Sequence, residues 1–332
     1  MPHLVIAGAG ATGTRVARHV SRSLADCNVT LIDDGAGVAQ TAAAALGGNV
    51  RGAAGTAIPA DADIVVIATR AGTHAEVAQQ GLRSASVVIS VADSIGDIRA
   101  LLDLDEQAKS EGTSIVVGAG MMPGLSDVLA AHGTKWFDSV REIHVSKFGT
   151  GGPDCARQHH RALKSMCFDW RDDQWKRRPG GSGRELAWFP APVEAADCYR
   201  AALGDPLLLI RSHPGVERIT ARMAATRRDR LTMNFPMLRK PHPEGLLGAV
   251  RVELRGVRHG QQLEIVLGCA ERPAVAAGAV AATAVVTMLE SLDHVRFGSH
   301  GLAELMDPTR FLLGIRRRGL RPEIFIGADE TY

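Results

Sequence analysis

Cysteine is scarce and scattered. The five in 332 residues stand at positions 27, 155, 167, 198 and 269, and no two form a C-x-x-C pair. An odd, dispersed set argues against a disulfide framework and against a spaced zinc motif, and fits reduced thiols in a cytoplasmic protein. An excess of one charge sign is also lacking, since 38 basic and 36 acidic side chains leave a formal charge of +2. Neither nucleic acid nor an anionic membrane is therefore expected as a partner. The one stretch that resembles a membrane span, Pro273 to Leu289, is Ala- and Gly-rich and too short for a confident span. It reads as a buried helix with Pro273 in its first turn. His3-Leu4-Val5-Ile6-Ala7 is too short for a signal-peptide core and has no basic segment before it. The chain shows no internal repeat and no low-complexity linker.

Hydrophobic residues make up 45% of the chain and charged residues 22%, the balance of a globular protein. Its length exceeds what one small core uses, so two domains are expected. In the first third, short apolar runs alternate with helical segments. Leu4–Ala7, Val29–Asp33, Asp63–Ala68, Ser86–Ser90 and Ser114–Val117 read as buried strands. Thr14–Ala25, Ala39–Leu46, His74–Leu82 and Ile95–Glu111 read as helices. This alternation indicates a Rossmann-type, doubly wound parallel sheet covered on both faces, an α/β fold. After Gly118 the pattern changes. Pro123-Gly124 breaks the chain, and Ser126 is placed to cap a helix from Asp127 to about His132. Val140–Phe148 alternates as a half-buried strand does. Gly180-Gly181-Ser182-Gly183 reads as a mobile loop. Gly248–Arg255 and Gln262–Cys269, separated by Gly256–Gly260, read as an antiparallel hairpin in a second, mixed sheet.

The glycine-rich turn Gly8-Ala9-Gly10-Ala11-Thr12-Gly13 follows the first strand directly and opens the first helix, the context a dinucleotide-binding turn requires. Gly8 permits the tight turn, Gly10 lets a pyrophosphate approach the backbone, and Gly13 lets the helix pack on the strand. Ala11 and Thr12 then offer backbone N–H groups at a helix N-terminus. Asp33 ends the second strand at the distance where a carboxylate receives the adenosine ribose hydroxyls. With Asp34 beside it and no Arg in Asp34-Gly35-Ala36-Gly37, NAD is expected over NADP. The ends of the later strands should line the same crevice. They carry Thr69 and Arg70, Ala92 and Asp93, and Gly120 and Met121, with Thr69, Ala92 and Met121 expected near the ribose and nicotinamide.

From Gly118 to Ala130, Gly-Ala-Gly-Met-Met-Pro-Gly-Leu-Ser-Asp-Val-Leu-Ala resembles an element of the saccharopine dehydrogenase-like (saccharopine reductase) family of NAD(P)-dependent oxidoreductases. Val252–Gly256 with the helix start at Arg272–Gly278, and Gly298–Gly319, look similar as well. The resemblance implies a dinucleotide domain (1–125), a mixed α/β substrate and dimerisation domain (126–295), and C-terminal helices returning to the first domain (296–332). It also implies a homodimer and an NAD(P)-linked interconversion of an imine with a secondary amine on an amino-acid-derived substrate. The stretch from about Gly149 to Lys240 departs from the family pattern, so saccharopine itself is not implied.

Such chemistry needs a proton donor and a grip on carboxylates. Arg157-Gln158-His159-His160-Arg161-Ala162-Leu163-Lys164 offers both. His160 and Lys164, with Asp127, are the catalytic candidates, and Arg157, His159 and Arg161 the substrate-binding ones. No metal is expected, because the adjacent His159 and His160 point apart on a helix with no well-spaced carboxylate. Cys155 and Cys167 show no acyl-transfer arrangement. The expected function is an NAD-dependent oxidoreductase acting on C–N bonds of a small amino-acid-like molecule. The alternatives are another NAD-linked amino-acid or semialdehyde dehydrogenase, or a non-redox enzyme or sensor that holds NAD tightly.

Overall fold

A computed structural model describes residues 1–237, 240–292 and 295–325. The apolar runs of the first third form parallel strands: β1 (His3–Ala7), β2 (Asn28–Asp33), β3 (Val50–Ala54), β4 (Ile64–Ile67), β5 (Val87–Ser90) and β6 (Ser114–Val117). The helices α1 (Ala11–Ser23), α2 (Val38–Leu46), α3 (His74–Gly81), α4 (Ile95–Leu102) and α5 (Asp105–Ser110) cover them. β4, β5 and β6 are buried at every position, so their side chains are apolar or small rather than alternating with exposed polar ones. From β1 the chain winds one way through β2 to β3, then crosses back to β4, β5 and β6. That reversal opens a crevice at the C-terminal ends of β1 and β4. β3 was not legible as a strand because only Val50 of its five residues is buried. The single helix expected over 95–111 is broken into α4 and α5.

The second half consists of α6 (Leu125–Gly133), β7 (Ser139–Phe148), α7 (Pro153–Lys164), β8 (Met166–Arg171), β9 (Gln174–Pro179), β10 (Glu185–Phe189), β11 (Glu194–Arg200), α8 (Asp205–Ser212), β12 (Arg218–Ala224), α9 (Arg227–Thr232), β13 (Ala249–Arg258), β14 (Gln261–Ala270) and α10 (Pro273–Leu289). Then follow β15 (Gly298–Gly301), α11 (Leu302–Leu305), α12 (Pro308–Arg317) and β16 (Glu323–Ile324). The mixed sheet runs β10-β11-β12-β7-β13-β14-β16, with β8 on β12 and β9 beyond it. β7 lies in its middle, parallel to β12 and antiparallel to β13. β15 pairs with β6 and completes the parallel sheet, so the last part of the chain contributes a strand to each sheet. One buried apolar set joins both halves, from Leu4 and Val16 through Leu129 and Val145 to Ala281 and Phe311.

Three local expectations are corrected. The helix after Gly124 starts at Leu125, and Ser126 is not its cap, because its hydroxyl donates to Asp205 instead (2.7 Å). Gly180 and Gly181 are buried and held by N–H bonds to the Ser165 and Arg200 carbonyls, so they form a packed turn and not a loose loop. The hairpin strands continue through Gly256 with a bulge and turn only at His259-Gly260, both with positive φ (51° and 77°), as a two-residue hairpin turn requires. Pro273–Leu289 is a buried helix as read, and among the described residues no helix is long and apolar enough to cross a membrane.

Candidate active site

The glycine turn takes its shape from contacts that leave no room for side chains. Gly8 has φ +99°, a conformation that favours glycine, and its N–H is held by the Ile32 carbonyl (2.8 Å). A Cβ on Gly13 would lie 1.8 Å from the Gly8 carbonyl oxygen. Gly10 differs, since a Cβ there meets no protein atom within 4 Å. Its smallness serves something other than the protein's own packing. Gly10 is also the N-cap of α1 and makes no side-chain cap, so the first-turn N–H groups receive no side-chain acceptor. Asp33 is oriented by two backbone donors, Ala9 N–H to Oδ2 and Gly35 N–H to Oδ1, each 2.8 Å. These features fit a dinucleotide pyrophosphate and ribose. Gly13→Val should therefore push α1 off β1. Overpacking of this kind costs about 1–3 kcal/mol of stability, and NADH affinity measured by fluorescence titration should fall as the turn is displaced.

The cleft above this turn has a volume of about 570 Å³. Gly8, Gly10, Ala11, Thr12, Asp33, Asp34, Thr69, Arg70, Ala92, Asp93, Gly120 and Met121 all line it, while Gly13 sits beneath, against the strand. Two lining segments are fixed from behind by His74, which the sequence reading overlooked. Its Nδ1 lies 2.8 Å from Ser90 Oγ and its Nε2 3.2 Å from the Thr69 carbonyl, and the Ala92 N–H donates to Ser90 Oγ (3.2 Å). Burial lowers the His74 pKa and keeps the ring neutral at pH 7. At the adenosine end, Arg70 pairs with Asp34 at 3.4 Å, both side chains largely exposed.

The other end of the cleft gathers groups from three separate elements. Asp93 follows β5, Lys147 is near the end of β7, and Cys155 and His159 lie one turn apart on α7. Lys147 Nζ is 2.6 Å from His159 Nε2, His159 Nε2 is 3.0 Å from Asp93 Oδ2, and the Cys155 thiol donates to Asp93 Oδ2 at 3.3 Å. Lys147 is 4% exposed, and Asp93 Oδ2 lies 3.9 Å from its Nζ. Burial alone would raise the Asp93 carboxyl. The hydrogen bond and charge of His159, then the charge of Lys147, outweigh it and hold Asp93 well below the ordinary carboxylate range. Burial, then the Lys147 charge, lowers His159. Burial and the Asp93 charge push the Cys155 thiol up to about 12, so it is not a thiolate nucleophile at neutral pH. At 2.6 Å Lys147 Nζ and His159 Nε2 are in hydrogen-bonding contact, beside the Asp93 carboxylate.

The α7 residues proposed from sequence divide by face. His159 turns inward with Ala156, Ala162 and Leu163, whereas Arg157, Arg161 and Lys164 are exposed. Arg157 pairs with Asp154 (2.6 Å), and His160 Nε2 lies 2.8 Å from the Phe235 carbonyl. None of these four residues lines the cleft. The histidine and lysine gathered at this end of the cleft are His159 and Lys147, whereas His160 and Lys164 lie away from it. Asp127 is also outside the cleft lining. It is fully buried in the first turn of α6, with neither carboxyl oxygen partnered, beside Asp205.

The architecture is thus two sheets, with the cleft at the reversal of strand order in the parallel one. No protein-family model and no curated protein sequence matches the chain. Among solved structures, apo saccharopine dehydrogenase (L-Glu forming) from Saccharomyces cerevisiae is similar over 98% of this chain and 100% of that one, with a TM-score of 0.69 at 12% identity. DAP dehydrogenase from C. glutamicum, in complex with DAP, is similar over 94% of this chain and 95% of that one, with a TM-score of 0.50 at 14% identity. At these identities what is shared is the fold.

Proposed function

We propose that this chain is an NAD-linked oxidoreductase that interconverts an imine and a secondary amine on an amino-acid-derived substrate. The observation that carries this reading is the Lys147–His159–Asp93 group, set in the same continuous cleft as the glycine turn and Asp33. A bound nicotinamide would supply or accept the hydride at the substrate carbon. The remaining task is one proton at the substrate nitrogen. Lys147 lines the cleft with its amine in contact with His159, so it delivers that proton on reduction and recovers it on oxidation. Asp93 stays ionised and attracts the cationic nitrogen of an iminium or ammonium.

The cofactor preference follows from Asp33. A carboxylate fixed by two backbone donors accepts ribose hydroxyls and repels a 2′-phosphate, and Arg70 at that end is paired with Asp34. NADH should bind about tenfold or more tightly than NADPH, a difference of roughly 1.4 kcal/mol or more. Asp33→Ser should narrow the gap. Fluorescence titration with both cofactors, followed by turnover on a panel of imines, 2-oxo acids and amines, tests the reading. Binding of neither cofactor would refute it, and an NADPH preference would refute the role of Asp33.

A further inference from the structure

We infer that the cleft holds a binding site for a thiophilic divalent cation of the zinc class, built from Asp93, Cys155 and His159. The candidate donor atoms are Asp93 Oδ2, Cys155 Sγ and His159 Nε2. They stand 3.0 Å apart for oxygen and nitrogen, 3.3 Å for sulfur and oxygen, and 3.6 Å for sulfur and nitrogen. Tetrahedral zinc has Zn–S near 2.3 Å and Zn–N and Zn–O near 2.0–2.1 Å. Those lengths separate an N/O pair by about 3.3–3.4 Å and an S/N or S/O pair by about 3.5–3.6 Å. Each observed separation lies within about 0.4 Å of that geometry, so a cation can enter with no movement of the backbone.

The supports are rigid. Cys155 and His159 are four residues apart on α7, which places both donors on one helix face, and Asp93 follows a fully buried strand. Asp93 and Cys155 also line the cleft, so an ion can reach the site from it. A thiol, an imidazole and a carboxylate together select Zn²⁺, Cd²⁺ or Co²⁺ over Mg²⁺ and Ca²⁺. The site also gives Cys155 a purpose, since the proposed reaction uses Asp93, Lys147 and His159 and leaves the thiol idle.

The cation would take the atom through which His159 meets Lys147, whose Nζ is 2.6 Å away. Metal binding and proton transfer by the Lys147–His159 unit therefore exclude one another, and the ion acts as an off-switch. The inhibition rests on the proposed reaction, whereas the binding site rests on the three donors alone.

The test is Co²⁺ titration of the full chain after treatment with a chelator. A thiolate-to-Co²⁺ absorption band in the near ultraviolet should appear, saturate at one ion per chain and vanish on addition of Zn²⁺, with Mg²⁺ having no effect. Cys155→Ser should lose the band and weaken Zn²⁺ binding by more than about 100-fold, beyond what loss of an outer-shell partner costs. Arg157→Gln, on the exposed face of α7, should keep both. NADH fluorescence titration of the same samples reports whether the cleft is folded. A wild-type protein that binds NADH yet gives no Co²⁺ band overturns the metal site. A normal band without NADH binding overturns the oxidoreductase reading and leaves the site standing. Turnover should fall as Zn²⁺ is added, and a rise would overturn the off-switch.

Discussion

Replacing Lys147 with Met is expected to lower kcat/KM by about 10²- to 10⁴-fold, the range supplied by a positioned proton donor, while leaving NADH affinity essentially unchanged. Methionine keeps the length and apolar stem of the side chain in its buried slot and removes only the amine. His159 then keeps its contact with Asp93 and loses the partner that reaches the cleft. Steady-state kinetics and NADH titration on the same preparation measure the two effects separately. Wild-type turnover in this variant would show that the proton travels by another route.

That residue was the least legible part of the site. Val140–Phe148 alternates, and Lys147 shares the parity of Ile143 and Val145, the buried side, where a lysine gives no signal of a site. β7 instead lies mid-sheet with Ile143 through Lys147 all buried, a consequence of what packs on it and not of its own pattern. His159 was visible on α7, but its neighbours misled. Charge on a helix normally marks the outer face, and the inner face of α7 is itself polar at Cys155 and His159 because it borders the cleft. The glycine turn and Asp33 could be read because their geometry is local, a strand running into a tight turn. The Asp93–His159 contact joins residues 66 positions apart and exists only once both halves have folded.

A second large effect is expected from the carboxyls of Asp127 and Asp205, both fully buried. Burial, followed by the Asp205 charge, raises Asp127, with Glu304 adding to it and the Gly124 backbone opposing it. Burial pushes Asp205 up to about 6 against the Ser126 hydroxyl and Lys147, with Asp93 adding to the rise. The folded pKa of Asp205 thus lies above its unfolded value of 3.8. The folded state holds this proton more tightly, so the contribution of Asp205 to stability is fully present below about pH 4 and is lost as pH rises through about 6. Two units correspond to roughly 3 kcal/mol. Asp205→Asn keeps an acceptor for Ser126 and removes the charge. It should match the wild type near pH 4 and exceed it by up to roughly 3 kcal/mol at pH 8. Urea unfolding of both proteins at pH 4, 6 and 8 is the measurement, and a constant difference across that range would dismiss the buried-charge account.

The pairing of β15 with β6 also sets a timetable for biosynthesis. Residues 118–297 separate the two strands, about 180 positions. At roughly 5–20 residues per second a ribosome needs about 10–40 s to make them. Throughout that interval β6 is the open margin of a sheet whose other five strands are already complete, with unpaired N–H and C=O groups facing outward. The α4–α5 corner waits as well, because the Ser299 hydroxyl and N–H that reach the Leu101 carbonyl and the Asp105 carboxylate come from β15. The nascent chain therefore presents its half-finished parallel sheet to chaperones, or to neighbouring nascent chains, until residues 298–301 have emerged.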